Sequence, residues 1–229
     1  MTGARFLYRL SGRGQISESF PFAACLALSG GFQDAYTYIV RGRVFANAQT
    51  GNVVLMSTCL IGRQWMDALG YLFPVLAFVS GVLAADYIRH HRKGSIRWQQ
   101  KVLLAEILIL LVVGFLPQSL NMVASALVSF SCAMQIQAFQ TLDGNAYAST
   151  MCIGNLRSGT ASLSKYFRSK DKSDLKRTAE YYGVIVVFAI GAGIGGNLSE
   201  LFGERMIWVS CIILFADFCL MESTGKHHL

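Results

Sequence analysis

Charged residues and prolines are scarce in this chain. Charged residues make up 14% of its 229 residues and hydrophobic residues 53%, and the mean hydropathy is +0.44. Soluble domains carry roughly a quarter charged residues, so the composition excludes an ordinary soluble domain. The chain has three prolines.

Sequence motifs of catalysis and of cofactor binding are also missing. The chain has no G-x-x-x-x-G-K-[ST], H-E-x-x-H or G-x-S-x-G pattern. The adjacent pairs at 90–91 and 227–228 are histidines without the spacing of metal ligands. The cysteines form no CxxC pair, and all lie in apolar segments: Cys25, Cys59, Cys132, Cys152, Cys211 and Cys219. We therefore predict that the protein is not an enzyme and has no cofactor and no metal site.

One pattern imitates a dinucleotide-binding fingerprint. Gly191, Gly193 and Gly196 form GxGxxG, and Asp217 follows at a suitable distance. However, only NLSELFGE separates these glycines from the next apolar run, which is too short for the usual crossover helix. We interpret these glycines as sites of close helix packing.

The basic residues of the chain lie in loops beside apolar runs. The formal net charge is +7, which in a soluble protein would favour nucleic-acid binding. Lysine and arginine in loops between apolar runs instead fix the orientation of a membrane protein. We therefore predict a lipid bilayer and no nucleic acid as partner.

Long apolar runs dominate the chain. Six stretches have, or nearly have, the roughly 17–25 apolar residues that cross a bilayer: 20–40, 68–88, 102–116, 120–140, 182–198 and 206–221. The first run continues past any cleavage site, which predicts an uncleaved first span. The fold class is therefore an all-α polytopic membrane protein, with residues 1–229 as a single membrane domain.

Two further segments, 44–62 and 145–163, are long enough to cross but rich in small and polar residues. If both cross, eleven basic residues face the cytoplasm and eight face outward. If both dip in and return, fifteen basic residues face the cytoplasm and four face outward. The fifteen lie at 1–13, 89–101, 165–177 and 226. Since cytoplasmic loops are enriched in lysine and arginine, we predict six spans, two re-entrant segments and cytoplasmic termini.

The second half of the chain repeats the order of elements of the first. A shift of 103 residues aligns Asp34 with Gln137, Asn47 with Thr150, Gly51 with Gly154, and Asn52 with Asn155. A shift of 110 aligns Gly81 with Gly191. Each unit, 19–117 and 118–221, reads span, dipping segment, span, span. Because three crossings are an odd number, the second unit is inverted, an arrangement typical of transporters.

The dipping segments carry matching small and polar residues. Gly51 and Gly154 allow the backbone to leave helical geometry. Polar side chains can then replace the missing backbone partners: Asn47, Thr50, Asn52, Thr150 and Asn155. Small residues also permit close helix packing, where an asparagine contributes only about 0.6 kcal/mol, and that alternative stays open.

Asp34 lies inside the first span. A carboxylate at bilayer depth costs about 2.5–3.5 kcal/mol, so it normally faces a partner or a polar interior. We interpret Asp34 as a proton- or cation-binding group, with a structural pair or an interfacial position as the alternative. Arg157 is the candidate partner, since it is the one basic residue inside a predicted membrane segment. We interpret Asp86, Glu106 and Asp217 as interfacial.

Three motifs carry a family resemblance. GGFQDAY (30–36), ANAQTGNVV (46–54) and STMCIGNL (149–156) resemble the YoaK family of bacterial integral membrane proteins of unknown function. The resemblance extends from about Ser19 to Leu220. It implies a bacterial inner-membrane protein with about six spans, and it supplies no substrate or reaction.

The sequence thus predicts a small secondary transporter or channel for a small polar or ionic solute, with Asp34 as the candidate for proton coupling. The residues expected to line its central site are Asp34, Asn47, Thr50, Gly51, Asn52, Gln137, Thr150, Gly154, Asn155 and Arg157. The alternative is a non-transporting scaffold or regulatory protein that acts through helix–helix contacts, for example at Gly191 and Gly195. A homo-oligomer is compatible with either function.

Overall fold

The computed structural model describes residues 16–91 and 97–225. The basic residues at 1–13, two of the five at 89–101 (Arg92 and Lys93), and Lys226 lie outside the described residues. The histidines at 227–228 also lie outside them.

The described chain folds into helices, as its composition predicts. The helices are α1 (Phe20–Val40), α2 (Gln49–Ile61), α3 (Trp65–His91), α4 (Arg97–Val113), α5 (Asn121–Ala138), α6 (Cys152–Ser169), α7 (Lys172–Phe202) and α8 (Ile207–Gly225). A small antiparallel hairpin, β1 (Thr141–Leu142) and β2 (Asn145–Ala146), stands before α6. This hairpin is the one departure from the predicted all-α fold within the described ranges.

Three described segments are long and apolar enough to cross a membrane. They are Trp65–His91, Gln118–Ala138 and Lys172–Glu222, the last of which contains both α7 and α8. The predicted membrane protein is therefore confirmed at this level.

Each predicted dipping segment is a non-helical stretch followed by a helix. The first stretch, 41–48, precedes α2, and the second, 147–151, precedes α6. The α2 helix has 13 residues, so its length is about 20 Å at 1.5 Å per residue. That length is shorter than the hydrocarbon core of a bilayer, which is about 30 Å thick.

Glycines bring two pairs of helices into close contact. A Cβ atom at Gly191 of α7 would overlap the carbonyl oxygen of Leu28 in α1, and one at Gly195 would lie 2.7 Å from the Phe32 Cα. In the same way, a Cβ atom at Gly81 of α3 would overlap the Phe130 carbonyl oxygen of α5. Since α7 is one continuous helix, its GxGxxG pattern forms no nucleotide-binding turn, and Gly191 of this pattern serves helix packing.

The α4 and α8 helices complete the bundle. They pack against each other, α4 also packs on α5, and α8 also packs on α1. Apolar side chains of these four helices form one buried cluster, which includes Leu26, Leu110, Val128 and Leu214. The central side chains of α1, α4, α5 and α8 are therefore shielded from the surface.

Arg41 holds one end of the bundle together. Its guanidinium donates to the carbonyl oxygens of Val113 and Leu116, both at 2.9 Å, and to Asn121 Oδ1 at 3.1 Å. Its side chain is 1% exposed, so this loop arginine is buried in the protein. These carbonyls lie at and just after the end of α4, where the helix supplies no further N–H groups, and they accept the guanidinium donors. We call this side of the bundle the Arg41 end.

The opposite side of the bundle carries the β hairpin. Asp143 N donates to the Glu18 carbonyl at 2.8 Å, and Lys176 pairs with the Asp143 carboxylate. Gln99 of α4 donates to the Ala138 carbonyl of α5 at 2.9 Å. We call this side the hairpin end.

Candidate functional site

The first non-helical stretch runs from the Arg41 end back into the bundle. Ser125 and then Ser129, one turn further along α5, donate to the carbonyls of Arg41 and Ala46, both at 3.0 Å. Asn47 follows, and its backbone N–H donates to Asp34 Oδ1 at 2.7 Å. Its side-chain Nδ2 donates to the Gly30 carbonyl at 3.2 Å. Because Gly30 is half-way along α1, the stretch reaches the middle of the bundle.

The second stretch reaches the same point from the hairpin end. Ser149 is buried and hydrogen-bonded to Gln135 of α5 at 3.0 Å. Thr150 packs directly on Gly30, where an added Cβ atom would overlap its Cγ2 and would lie 3.9 Å from Asn47 Nδ2. The absence of a side chain at Gly30 therefore lets both stretches meet on α1. We call Gly30, Asp34, Asn47 and Thr150 the Gly30 junction.

Two polar atoms at the Gly30 junction have no hydrogen-bond partner among the described residues. They are Asn47 Oδ1 and Thr150 Oγ1, in side chains that are 3% and 5% exposed. A buried polar group without a partner costs about 1–3 kcal/mol. The junction therefore offers an acceptor and a hydroxyl to a small polar species.

Asn52 and Asn155 brace the two stretches in the same way. Asn52 Nδ2 donates to the Phe45 carbonyl at 2.7 Å, and its Oδ1 accepts from the Phe45 N–H at 2.9 Å. Asn155 makes the same pair of bonds with Ala148, at 2.6 Å and 3.4 Å. In both cases the partner lies seven residues earlier. These amides therefore replace missing backbone partners, as the sequence predicts, and they are not free for a ligand.

The other predicted site residues lie away from the Gly30 junction. Thr50, Gly154 and Arg157 are exposed, and Gly51 faces the ring of Phe45. Gln137 donates to Asp86 Oδ1 at 3.5 Å near the hairpin end.

The suggested pairing of Asp34 with Arg157 does not occur within the described ranges. The ion pairs there involve Asp86, Asp143, Asp174 and Glu180. Asp34 instead accepts the Asn47 N–H.

Glu106 and Asp217 are the residues that sequence reasoning misplaced. Both lie near the middle of their helices, α4 and α8, and both are 0% exposed. The interfacial interpretation of these two residues is therefore wrong. A signal was available, since a shift of 111 residues aligns Glu106 with Asp217, close to the shift that aligns Gly81 with Gly191.

Glu106 belongs to a buried polar network between α1, α4 and α5. Gln33 Nε2 donates to Glu106 Oε1 at 3.2 Å and to Ser29 Oγ at 2.9 Å. The Gln135 amide satisfies all its neighbours when its oxygen accepts from Ser149 Oγ and its nitrogen donates to Glu106 Oε1 at 2.9 Å. Two amides from different helices thus converge on one carboxylate.

Comparisons with known proteins identify relatives of the chain. A family model described as "Protein of unknown function (DUF1275)" matches residues 22–220. The UPF0700 transmembrane protein YoaK of Bacillus subtilis (strain 168) is 26% identical over 202 residues, which cover 83% of this chain and 88% of that protein. No solved structure matches the chain.

Proposed function

The chain belongs to the DUF1275 family of proteins of unknown function and is related to a transmembrane protein, and we propose that it is a small secondary transporter or channel. Its substrate is a small polar or ionic solute that binds at the Gly30 junction. The protein resides in the bacterial inner membrane with both termini in the cytoplasm.

The proposed architecture is two inverted units with six spans: α1, α3, α4, α5, α7 and α8. The packing of the helices supports it, because the larger helix contacts form pairs that correspond when one unit is exchanged for the other. The α1 helix packs on α7 as α5 packs on α3, α2 packs on α3 as α6 packs on α7, and α4 packs on α5 as α8 packs on α1. Inverted repeats with interrupted helices that meet near the bilayer midplane are typical of transporters.

One observation carries the proposal. Two non-helical stretches meet on Gly30, and Asn47 Oδ1 and Thr150 Oγ1 have no hydrogen-bond partner there among the described residues. Non-helical backbone at membrane depth is tolerated where it is buried in protein or lines a polar cavity. The helices that follow, α2 and α6, begin next to this point, and their amino-terminal ends carry partial positive charge. A solute that accepts from these ends and from the Thr150 hydroxyl, and that donates to Asn47 Oδ1, would offset the cost of the unpartnered atoms.

Asp34 provides the proposed proton coupling. In its ionised form it accepts the Asn47 N–H at 2.7 Å and so holds the first stretch against α1. Protonation weakens a charge-assisted hydrogen bond of this kind. Binding of a proton would therefore loosen the 41–48 stretch and change access to the junction.

The scaffold alternative loses the two glycines that are its example of a helix contact. Gly191 and Gly195 face α1 within the same chain, so they are not available to a partner helix. We therefore retain transport as the proposed function.

Uptake measurements in proteoliposomes test the proposal. A broad panel of radiolabelled polar solutes and ions should include at least one that the wild-type protein takes up. Asp34→Asn and Thr150→Val should reduce that uptake at least about tenfold, which corresponds to the loss of one hydrogen bond of about 1.4 kcal/mol. The exposed residues Asp67 and Thr58 supply the matched controls Asp67→Asn and Thr58→Val, which should transport normally. A panel in which no flux distinguishes the wild type from Asp34→Asn contradicts the proposal.

A further inference from the structure

Glu106 is a fully buried carboxylate that lies outside the Gly30 junction. Its side chain is 0% exposed, and the amides of Gln33 in α1 and Gln135 in α5 lie against it. The ion pairs within the described ranges do not include it. A carboxylate at membrane depth is costly when it is ionised without a basic partner. Its charge is therefore either held by the two amides or removed by a proton.

Gln135 connects Glu106 to the second stretch. One end of its amide lies 2.9 Å from Glu106 Oε1 and 3.1 Å from Oε2, and the other end lies 3.0 Å from Ser149 Oγ. Ser149 is 1% exposed and directly precedes Thr150, which packs on Gly30. A hydrogen-bonded path therefore runs from α4 through α5 to the Gly30 junction. We call Glu106, Gln135 and Ser149 the Gln135 relay.

The Gln135 amide has two orientations, and each suits one protonation state of Glu106. When Glu106 is ionised, Gln135 Nε2 donates to it and Gln135 Oε1 accepts from the Ser149 hydroxyl. When Glu106 is protonated, its hydroxyl finds an acceptor in the amide if Gln135 Oε1 faces it, and Nε2 then donates to Ser149 Oγ. In this second state the Ser149 hydroxyl hydrogen loses its acceptor.

The titratable groups that interact with Glu106 are all acids. They are the Cys132 thiol of α5 and the Cys211 thiol and the Asp217 carboxyl of α8. On the α1 side, Asp34 interacts with the Cys132 thiol, and that thiol donates to Gln33 Oε1 at 2.8 Å. The Gln33 amide is thereby fixed with its nitrogen toward Glu106. None of these groups supplies a positive charge to Glu106.

We propose that Glu106 is a proton-binding site and that the Gln135 amide transmits its protonation state to Ser149 of the second stretch. A hydronium ion transfers its proton to Glu106 Oε2 and leaves as water, the Gln135 amide turns over, and no bond between heavy atoms forms or breaks. The ionised carboxylate polarises the amide and so strengthens the bond from Ser149. The second stretch is therefore held more tightly when Glu106 is ionised than when it is protonated.

The first stretch is held in a comparable way. Asp34 accepts the Asn47 N–H directly, at 2.7 Å. Each non-helical stretch is thus attached to one buried carboxylate, in the first case directly and in the second through an amide. Use of Glu106 to couple transport rests on the proposed function, whereas binding of the proton and its effect on Ser149 do not.

A proton fits Glu106 better than a metal cation does. The carboxylate oxygens already face the amides of Gln33 and Gln135, whereas a hard cation needs a shell of oxygen ligands. The part of the chain that the structure describes contains no group of three or more His, Cys, Asp or Glu side chains that could hold a metal ion.

Two measurements on the reconstituted full-length protein test the proposal without a substrate. Infrared difference spectra report the protonation, since acidification of the wild type should produce a carboxylic-acid carbonyl band that Glu106→Gln lacks. Hydrogen–deuterium exchange over residues 147–151, corrected for the pH dependence of chemical exchange, reports the second stretch. Exchange in the wild type should become at least about fivefold faster as this band appears, which is the ratio expected for one ordinary hydrogen bond.

Glu106→Gln has the donor and acceptor pattern of the protonated acid. It should therefore show the fast exchange at every pH, at the rate of the acidified wild type. A variant that is merely destabilised would exchange faster than the wild type at acidic pH as well, and that result would overturn the switch.

Ser149→Ala separates the relay from the proton site. It should keep the infrared band and lose the pH dependence of exchange. The matched control is Ser131→Ala, because Ser131 is also buried but donates to the Val128 carbonyl of its own helix. This control and the exposed Asp67→Asn should keep both the band and the pH dependence.

Further outcomes overturn the proposal. Absence of the band in the wild type, or its persistence in Glu106→Gln, shows that Glu106 is not the proton site. A pH dependence of exchange that persists in Ser149→Ala shows that the amide does not transmit the change. Slow exchange restored at acidic pH when potassium is replaced by sodium shows a metal-cation site instead. Because none of these readings involves uptake, failure here and failure of the transport proposal are distinguishable.

Discussion

Asn52 and Asn155 make the same two bonds at equivalent positions of the two halves of the chain. Each amide closes a loop on the residue seven positions earlier. The amide can do so because it presents a donor and an acceptor side by side, as a backbone peptide does. An asparagine at these positions therefore sets the shape of the non-helical stretch that reaches the Gly30 junction.

Removal of the Asn52 amide should destabilise the protein. Asn52→Ala leaves the N–H and the carbonyl of Phe45 without partners, which costs about 1–3 kcal/mol for a buried group. Thermal unfolding of the purified protein in detergent should show a lower midpoint for this variant. The control is Asn197→Ala, since Asn197 bonds to the Gly193 carbonyl on an exposed helix face and should change stability by less than about 0.5 kcal/mol. Equal midpoints for the two variants contradict the bracing role.

The sequence predicts part of the candidate site at the residue scale. Asp34, Asn47 and Thr150 are identifiable because polar side chains within apolar runs are costly and need a reason. Thr50 and Arg157 lie apart from them, because the sequence does not specify which face of α2 or α6 turns away from the bundle. These two residues are exposed.

The buried carboxylates illustrate a different limit of the sequence. Glu106 and Asp217 lie close to the ends of the apolar runs at 102–116 and 206–221, which favours an interfacial position. The helices extend beyond those runs, to 97 and to 225. As a result, both carboxylates lie near the helix middles. Helix ends set by polar residues are the part of a span that hydropathy defines least well.

At the scale of elements, the hydropathy pattern predicts the helices. The hairpin is indicated instead by a local pair of residues, which hydropathy does not detect. The predicted run at 20–40 coincides with α1 (Phe20–Val40). The hairpin turn is Asp143–Gly144, with φ of 48° and 76°. An Asp-Gly pair with positive φ at both residues is a strong hairpin signal. This pair lies directly before the segment 145–163 that is expected to dip into the membrane.

Glycine pairs within one helix provide a matched test of the helix contacts. Gly191→Ala should destabilise the protein by about 1–3 kcal/mol, the typical cost of overpacking, because its Cβ would overlap the backbone of Leu28. Gly193→Ala on the same helix should be neutral or stabilising by about 0.5–1 kcal/mol, since nothing lies within 4 Å of its Cβ position. Thermal unfolding in detergent measures both variants.

The same comparison applies to the first half of the chain. Gly81→Ala should destabilise the α3–α5 contact, because its Cβ atom would overlap the Phe130 carbonyl oxygen. Gly70→Ala should not destabilise it, since nothing lies within 4 Å of the Gly70 Cβ position. If the effects of Gly191→Ala and Gly81→Ala match those of their controls, the close contacts of α7 with α1 and of α3 with α5 are wrong.

At the scale of the whole molecule, the family and the membrane character follow from the sequence. The resemblance based on GGFQDAY, ANAQTGNVV and STMCIGNL is confirmed by the family match over residues 22–220. The inverted arrangement of six spans stays a proposal. It rests on charge counts that partly fall outside the described residues and on the paired helix contacts. Sequence identity between the halves is too sparse to align their side chains in space.

The most direct test of the account is a cross-link between the two stretches at the Gly30 junction. In a cysteine-free background, Asn47→Cys and Thr150→Cys should form a disulfide in native membranes under mild oxidation, since both native side chains contact Gly30. The control pair is Asn47→Cys with Gly154→Cys, because Gly154 is exposed with no neighbour within 4 Å of its Cβ position. The account predicts cross-linking of the first pair and not of the control pair. Equal or absent cross-linking in the two pairs would contradict a shared central site.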